Sequence, residues 1–254
     1  MSRLSVIIIT KNEVDNIRAC LESVQWVDEI IVVDAGSSDG TAFIARKFTD
    51  KVYVHDDWPG FGRQKNRALE HASGDWVLSL DADERVSPAL HKEILLAMSR
   101  ADHAVYRIPR QSWFLGRRIR HSGWSPDYVA RLFRRGSARF SDDLVHERLI
   151  HDASAGTLGA PLLHYSYRTL DQVLDKMNQY STAGAANMHE KGRRGGLGAA
   201  IGHGLWTFLK TWLLRGGFLD GREGLILAIA NAQGSYYRYL KLMYLDEQQR
   251  AKNH

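Results

Sequence analysis

Cysteine is almost missing from this chain: Cys20 is the single one, which excludes a disulfide framework within the chain. Neither apolar segment of the last third reaches the roughly 18 uninterrupted residues of a spanning helix. Met1-Ser2-Arg3 runs directly into strand-like sequence without the apolar stretch and cleavage site of a signal peptide, so cytoplasmic residence is expected. Internal repeats and low-complexity tracts are lacking. So are the usual nucleic-acid-binding motifs, and nucleic acid is not expected as a partner. Charge is only mildly skewed: 34 Lys and Arg against 29 Asp and Glu give +5, which suits phosphate-rich partners or an anionic membrane surface. The 254 residues suffice for one large α/β domain with an appendage.

Strand and helix alternate through the first half. Leu4 to Thr10 is a continuous apolar run rich in β-branched residues, the pattern of a strand buried on both faces. Val14, Ile17, Leu21 and Val24 mark one helical face, with Asn12 as its expected N-cap. Glu29 to Asp34 reads as a second strand, running into the small polar loop Ala35-Gly36-Ser37-Ser38-Asp39-Gly40-Thr41. Lys51 to His55 is a short third strand. Gly60 to Arg67 is a loop entering a helix, and Ser87-Pro88 launches another. Alternating units of this kind imply a mostly parallel sheet with ligands at the carboxyl edge of its strands.

The stretch Val77-Leu78-Ser79-Leu80-Asp81-Ala82-Asp83-Glu84 then delivers three carboxylates to that edge. Asp81 and Asp83 are spaced to meet one hard cation, Mg²⁺ or Mn²⁺. The same residues also fit a solvated acidic turn that caps the next helix.

Three strings in order, SVIIITKNE, IIVVDAGSSDGT and KNRALEHASGDWVLSLDADE, resemble the nucleotide-sugar half of family 2 glycosyltransferases of the GT-A fold. The resemblance covers roughly the first hundred residues. It implies a Rossmann-like α/β fold, a nucleotide-diphosphate sugar donor, a divalent metal and inversion at the anomeric carbon. Thr10, Asn12 and Glu13 match the loop beside the nucleoside, and Asp34 the acid that meets nucleobase or ribose. Ala35 stands where the motif often carries a second acid. Lys65 and Asn66 match the segment lining the donor pocket. Asp81, Ala82 and Asp83 match the metal and ribose motif, with Asp83 the more direct metal ligand and Asp81 the second.

The base that an inverting transfer needs is expected later in the chain. Ala104 to Ile108 and Tyr128 to Phe133 read as strands around a basic aromatic loop, Trp113 to Arg118, that either stacks on a sugar or packs. Arg131 is expected to face the diphosphate or to be solvated on its strand. In Phe140-Ser141-Asp142-Asp143-Leu144-Val145-His146-Glu147, Glu147 is the first candidate base and Asp143 the second. The His146-Glu147 pair resembles bacterial lipopolysaccharide-core members of the family. His146 orients the base, touches the metal or simply packs. His121 and His164 carry no pattern.

From Thr169 onward the chain turns helical. Leu170, Val173, Leu174, Met177 and Tyr180 form one stripe. After the basic stretch Lys191 to Gly196, Ile201, Leu205, Leu209, Trp212 and Leu213 form another, flanked by Lys210, Arg215 and Arg222. These helices either lie in a membrane interface or pack on the catalytic domain or a second subunit. The expected organisation is a catalytic domain over residues 1–165, split into a donor half (1–100) and an acceptor and base half (101–165), and a helical region over 166–254. The resemblance implies hexose transfer, glucose from UDP-glucose, to a lipopolysaccharide-core acceptor at the cytoplasmic face of a bacterial inner membrane. O-antigen, capsule or polyprenyl-linked glycan transfer is the alternative acceptor class. A silent nucleotide-sugar-binding or membrane-scaffold protein is the alternative to an enzyme.

Overall fold

The computed structural model describes residues 2–142 and 147–252, so Asp143 and His146 lie outside the described residues. The chain divides into two compact units. One comprises Met1–Gln111 with Asp127–His164, the other Ser112–Pro126 with Tyr165–His254.

In chain order the elements are β1 (Leu4–Thr10), α1 (Val14–Glu22), β2 (Glu29–Asp34), α2 (Thr41–Ala45), β3 (Val52–Val54) and α3 (Phe61–Glu70). Next come β4 (Trp76–Asp81), β5 (Glu84–Val86), α4 (Pro88–Arg100), β6 (Val105–Phe114), β7 (Arg117–Ile119) and β8 (Tyr128–Arg134). The rest are β9 (Arg139–Phe140), β10 (Leu149–Ile150), β11 (Ala155–Thr157), β12 (Leu162–Tyr167), α5 (Leu170–Glu190), α6 (Leu197–Leu209) and α7 (Gly221–Lys252).

The first unit is built on a mixed, mostly parallel sheet. β1 lies between β2 and β4, parallel to both, and β3 extends the sheet parallel to β2. β8 then runs antiparallel to β4 and β6, and β11 adds to β6 in parallel. Every residue of β1 and β2 is buried, because successive side chains point to opposite faces and both faces are covered. Val6, Ile8, Val32, Leu78 and Leu80 face α1 and α4, meeting Ile17, Leu21, Leu90 and Ile94. Ile7, Ile9, Ile31, Val33 and Val77 face α3, meeting Ala68 and Ala72. Ser87 caps α4 as its sequence requires: its hydroxyl accepts from the Leu90 amide at 3.2 Å, with Pro88 in the first turn.

At the amino end of the strands, Glu29 is buried. Its carboxylate accepts from the Ser73 amide (2.8 Å) and hydroxyl (2.9 Å), from the Ser5 hydroxyl and from Lys51. Burial alone would raise its pKa; these donors outweigh burial and hold it at about 2.

In the second unit, the stretch expected as a basic aromatic loop is instead a hairpin. Phe114 pairs with Arg117, and Leu115 and Gly116 turn with φ of 50° and 81°, the doubly left-handed turn that suits the twist of paired strands. Lys241 joins α7 to α5 by donating to Asn178 Oδ1 (2.7 Å), Ser181 Oγ (2.8 Å) and Thr182 Oγ1 (2.7 Å). α6 continues into a π-helical turn, Lys210–Leu214, and a 3₁₀ turn, Gly217–Asp220. Among the described residues no helix is long and apolar enough to cross a membrane.

Candidate active site

Parallel pairing brings three strand ends to one edge of the first unit. Thr10 is level with Asp34, and Ile9 with Asp81. Asp34 is fully buried, and its oxygens accept from the Thr10 hydroxyl (2.7 Å), the Ser37 amide (2.8 Å) and the Ser37 hydroxyl (2.6 Å). The carboxylate thus fixes the loop after β2 against the end of β1.

The loop after β1 is latched to the same segment. Asn12, expected as the N-cap of α1, sits one residue earlier with a φ of 54°; Glu13 occupies the cap position. The side-chain Oδ1 of Asn12 accepts from the Ser38 backbone amide at 2.9 Å, and the Asn12 backbone amide donates to Ser37 Oγ at 2.8 Å. The Glu13 amide donates to Thr41 Oγ1 (2.8 Å), and its carboxylate accepts from Asn16 (2.8 Å). The two loops are thereby held together as one polar, hydrogen-bonded rim at the strand ends.

Between Asp81 and Glu147 stands Lys65. Its side chain is 98% buried (2% exposed), with Nζ 2.9 Å from Asp81 Oδ1 and 2.6 Å from Glu147 Oε1. Arg131 takes the other Asp81 oxygen and lies 2.8 Å from Glu84 Oε1. Glu84, wholly buried, also accepts from the Asp81 amide at 2.9 Å. Arg110 completes the chain, 3.5 Å from Glu84 and 2.7 Å from Asp127. Burial pushes the Asp81 carboxyl up; the charges of Arg131 and Lys65 outweigh that and hold it well below the usual carboxylate range. Arg131, expected to face a diphosphate or solvent, is instead 6% exposed and engaged by two carboxylates.

Asp83 points elsewhere. Its Oδ2 lies 3.4 Å from His164 Nε2, with side-chain exposures of 14% and 13%. A carboxylate beside an imidazole is a fitting donor pair for a divalent cation such as Mn²⁺. Among the described residues no three His, Cys, Asp or Glu are grouped for a metal. Two protein ligands suffice where substrate phosphates complete the shell. Asp81, expected beside Asp83, is the partner of two cations instead. Ala82 between them is 4% exposed and packs in the core.

Glu147 is positioned through its neighbour Arg148, which is tied to Ser141 beside the β9–β10 pair. β9 pairs with β10, the Ser141 amide donates to the Arg148 carbonyl (2.9 Å), and the Arg148 amide donates to Ser141 Oγ (3.0 Å). Asn66, expected to line the donor pocket, clamps this segment: Nδ2 donates to the Phe140 carbonyl (3.0 Å) and Oδ1 accepts from its amide (2.9 Å). Gly62 permits the close approach of α3. A Cβ there would lie 1.7 Å from the Ser141 carbonyl oxygen and 3.4 Å from Glu147 Cβ. Asp142 is exposed, 3.9 Å from Arg63. The thiol of buried Cys20 is pushed up to about 12 by burial first, so it is inert as a nucleophile.

His164, Glu84, Arg110 and Gly62 were illegible in sequence as site residues. Glu84 stood in the acidic run but reads as surface charge until Arg131 and Arg110 close on it. His164 reaches Asp83 only because β12 pairs antiparallel with β5, setting His164 opposite Glu84.

Residues 5–157 match the family model for glycosyl transferase family 2. The lipopolysaccharide core biosynthesis glycosyltransferase LpsC of Rhizobium meliloti (strain 1021) is 31% identical over 93% of this chain and 93% of its own length. An uncharacterized glycosyltransferase of Rickettsia typhi (strain ATCC VR-144 / Wilmington) is 30% identical over 96% of this chain and 88% of its own. In structure, the chain is similar to S. aureus TarS 1-349 in complex with UDP-GlcNAc, with a TM-score of 0.51 at 16% identity, covering 98% of this chain and 92% of the other. That likeness bears on the fold, which is of the expected GT-A type. With a family model spanning most of the first unit and a relative aligned along nearly its whole length, this chain belongs to glycosyl transferase family 2.

Proposed function

We propose that the enzyme is an inverting hexosyltransferase that moves glucose from UDP-glucose to a lipopolysaccharide-core acceptor. The observation that carries this reading is the Asp81–Lys65–Glu147 bridge, with Nζ 2.9 Å from one carboxylate and 2.6 Å from the other. It ties a carboxylate of the donor-side strand edge to one carried by the later segment, where the acceptor is expected.

Glu147 is the base. It takes the proton of the acceptor hydroxyl as that oxygen bonds to the anomeric carbon and the bond from carbon to diphosphate breaks. Attack from the face opposite the leaving group inverts the configuration. Lys65 holds Glu147 in place, its Nζ 2.6 Å from Oε1, so that the carboxylate is oriented to accept the acceptor proton. Thr10, Asn12, Glu13 and Asp34 shape the nucleoside rim. Arg131 and Glu84 fix Asp81 at the strand edge, beside the ribose and diphosphate. Asp83 and His164 are the residues that would hold a divalent cation, Mg²⁺ or Mn²⁺, which would offset the charge gathering on the leaving diphosphate.

The acceptor class rests on the LpsC likeness and on the second unit. Leu205, Leu209, Leu213 and Leu214 are 44% to 70% exposed beside Lys210 and Arg215, a surface suited to peripheral association with an anionic membrane, at the cytoplasmic face of the inner membrane. The test is a donor screen against a core-oligosaccharide acceptor, with the product linkage determined. Glucose transfer from UDP-glucose with an inverted linkage is the expected result. Preference for another donor, or a retained linkage, would sink the assignment.

A further inference from the structure

A half-open cavity of about 450 Å³ lies in the second unit, a size typical of small-molecule sites, and Ser181, Thr207, Thr211, Asn231 and Ser235 put polar groups on its wall. Phe114, Trp124, Tyr167 and Trp206 wall it with aromatic rings, and Val173 and Leu227, both buried, supply aliphatic surface. Lys210, Arg215 and Arg238 line it too, and all three are exposed. No carboxylate lies among its described lining residues. The ion pairs of this unit run elsewhere: Arg117 and Arg222 meet Glu223, His121 meets Asp220, and His189 meets Asp246.

Such a lining asks for two things at once. Three cations without a lining carboxylate raise a positive potential that only an anion relieves. The aromatic and aliphatic walls gain by covering hydrocarbon. One amphiphile with an anionic head satisfies both. Trp206, which lines the cavity, is 54% exposed and belongs to the same helix as Leu205 and Leu209. Leu213 and Leu214 follow in the π-helical turn, 52% and 70% exposed. A contiguous apolar strip of this kind is uncommon on a solvated surface. It offers an amphiphile a route from a bilayer to the cavity.

We propose that this cavity takes one hydrocarbon chain of an anionic membrane lipid, with the lipid phosphate held by Lys210, Arg215 and Arg238. Its lining residues all belong to the second unit, and its occupancy does not depend on which sugar or acceptor is used.

Calorimetric titration of the full chain tests it. Dodecyl phosphate at monomeric concentration should bind one molecule per chain. Dodecyl maltoside, with the same tail and a neutral head, should bind at least tenfold more weakly, and inorganic phosphate not measurably. Ala230→Trp, which fills the cavity from α7, should abolish dodecyl phosphate binding. The double reversal Lys210→Glu with Arg238→Glu should weaken it at least tenfold with an unchanged melting temperature, and it decides the matter if Ala230→Trp fails to fold. Vesicles of phosphatidylglycerol should retain the protein more than phosphatidylcholine vesicles do. Phosphate binding as tightly as dodecyl phosphate would make this an anion site without lipid. Equal binding of the maltoside, equal retention on both vesicles, or full binding by folded Ala230→Trp would each overturn the proposal.

Discussion

Replacing Lys65 by methionine removes the cation that Asp81 and Glu147 share while keeping the length of the side chain. Truncating one partner of a buried ion pair typically destabilises by about 3–5 kcal/mol, because a charge is left unpaired. Here the lower end applies. Asp81 retains Arg131, and the Glu147 side chain keeps 17% of its surface exposed. About 3 kcal/mol corresponds to a fall in Tm of roughly 6–12 °C for a chain of this size. The structure further predicts rescue. Glu147→Gln in the Lys65→Met background removes the stranded carboxylate, so the double variant should recover about 1.5 kcal/mol, within the 0.5–3 kcal/mol coupling seen for contacting residues. Urea and thermal unfolding of wild type, both single variants and the double variant measure this. Strict additivity, within about 0.5 kcal/mol, would refute the bridge.

Three further outcomes follow from particular contacts. Gly62→Ala drives a Cβ into the Ser141 carbonyl and should destabilise by about 1–3 kcal/mol as overpacking does, lowering turnover more than donor affinity; unchanged melting and turnover would contradict the close approach. The folded-state pKa of Glu29, about 2 against an ordinary 4.5, lies below the unfolded value. Its contribution is therefore full above pH 4.5 and lost as pH falls toward 2, and Glu29→Gln should flatten that acid limb of the stability curve in denaturant titrations. Asp83→Asn and His164→Ala should each weaken Mn²⁺ binding about 10-fold or more, read by manganese EPR in the presence of UDP, whereas wild-type affinity in both variants would remove the pair as the metal site.

The strands and helices of the first hundred residues were legible because their signals are local. Unbroken apolar strands such as Leu4–Thr10 announce burial on both faces, and the parallel order then places Thr10, Asp34 and Asp81 at one edge without further information. Ser87-Pro88 likewise specifies its helix start. What failed depends on distant pairing. His164 carries no sequence pattern, and it meets Asp83 only through the antiparallel β5–β12 register. Arg131 alternates on a strand as a surface residue would, and two carboxylates from elsewhere in the sequence convert it into a buried partner. The stretch from Trp113 to Arg118 looked like a loop because its turn uses Leu115, a residue that rarely takes positive φ. The Asn12 side chain suits a helix cap by type, yet it bonds Ser38 instead.

The central claim is that Glu147 removes the acceptor proton in a transfer from a nucleotide sugar. Single-turnover transfer by Glu147→Gln, measured beside equilibrium binding of UDP-glucose, tests it most directly. Loss of a general base lowers the rate by about 10² to 10⁴, and donor affinity should stay within about twofold of wild type. Near-normal turnover in this variant, with a folded protein and intact donor binding, would contradict the account and pass the role to another carboxylate.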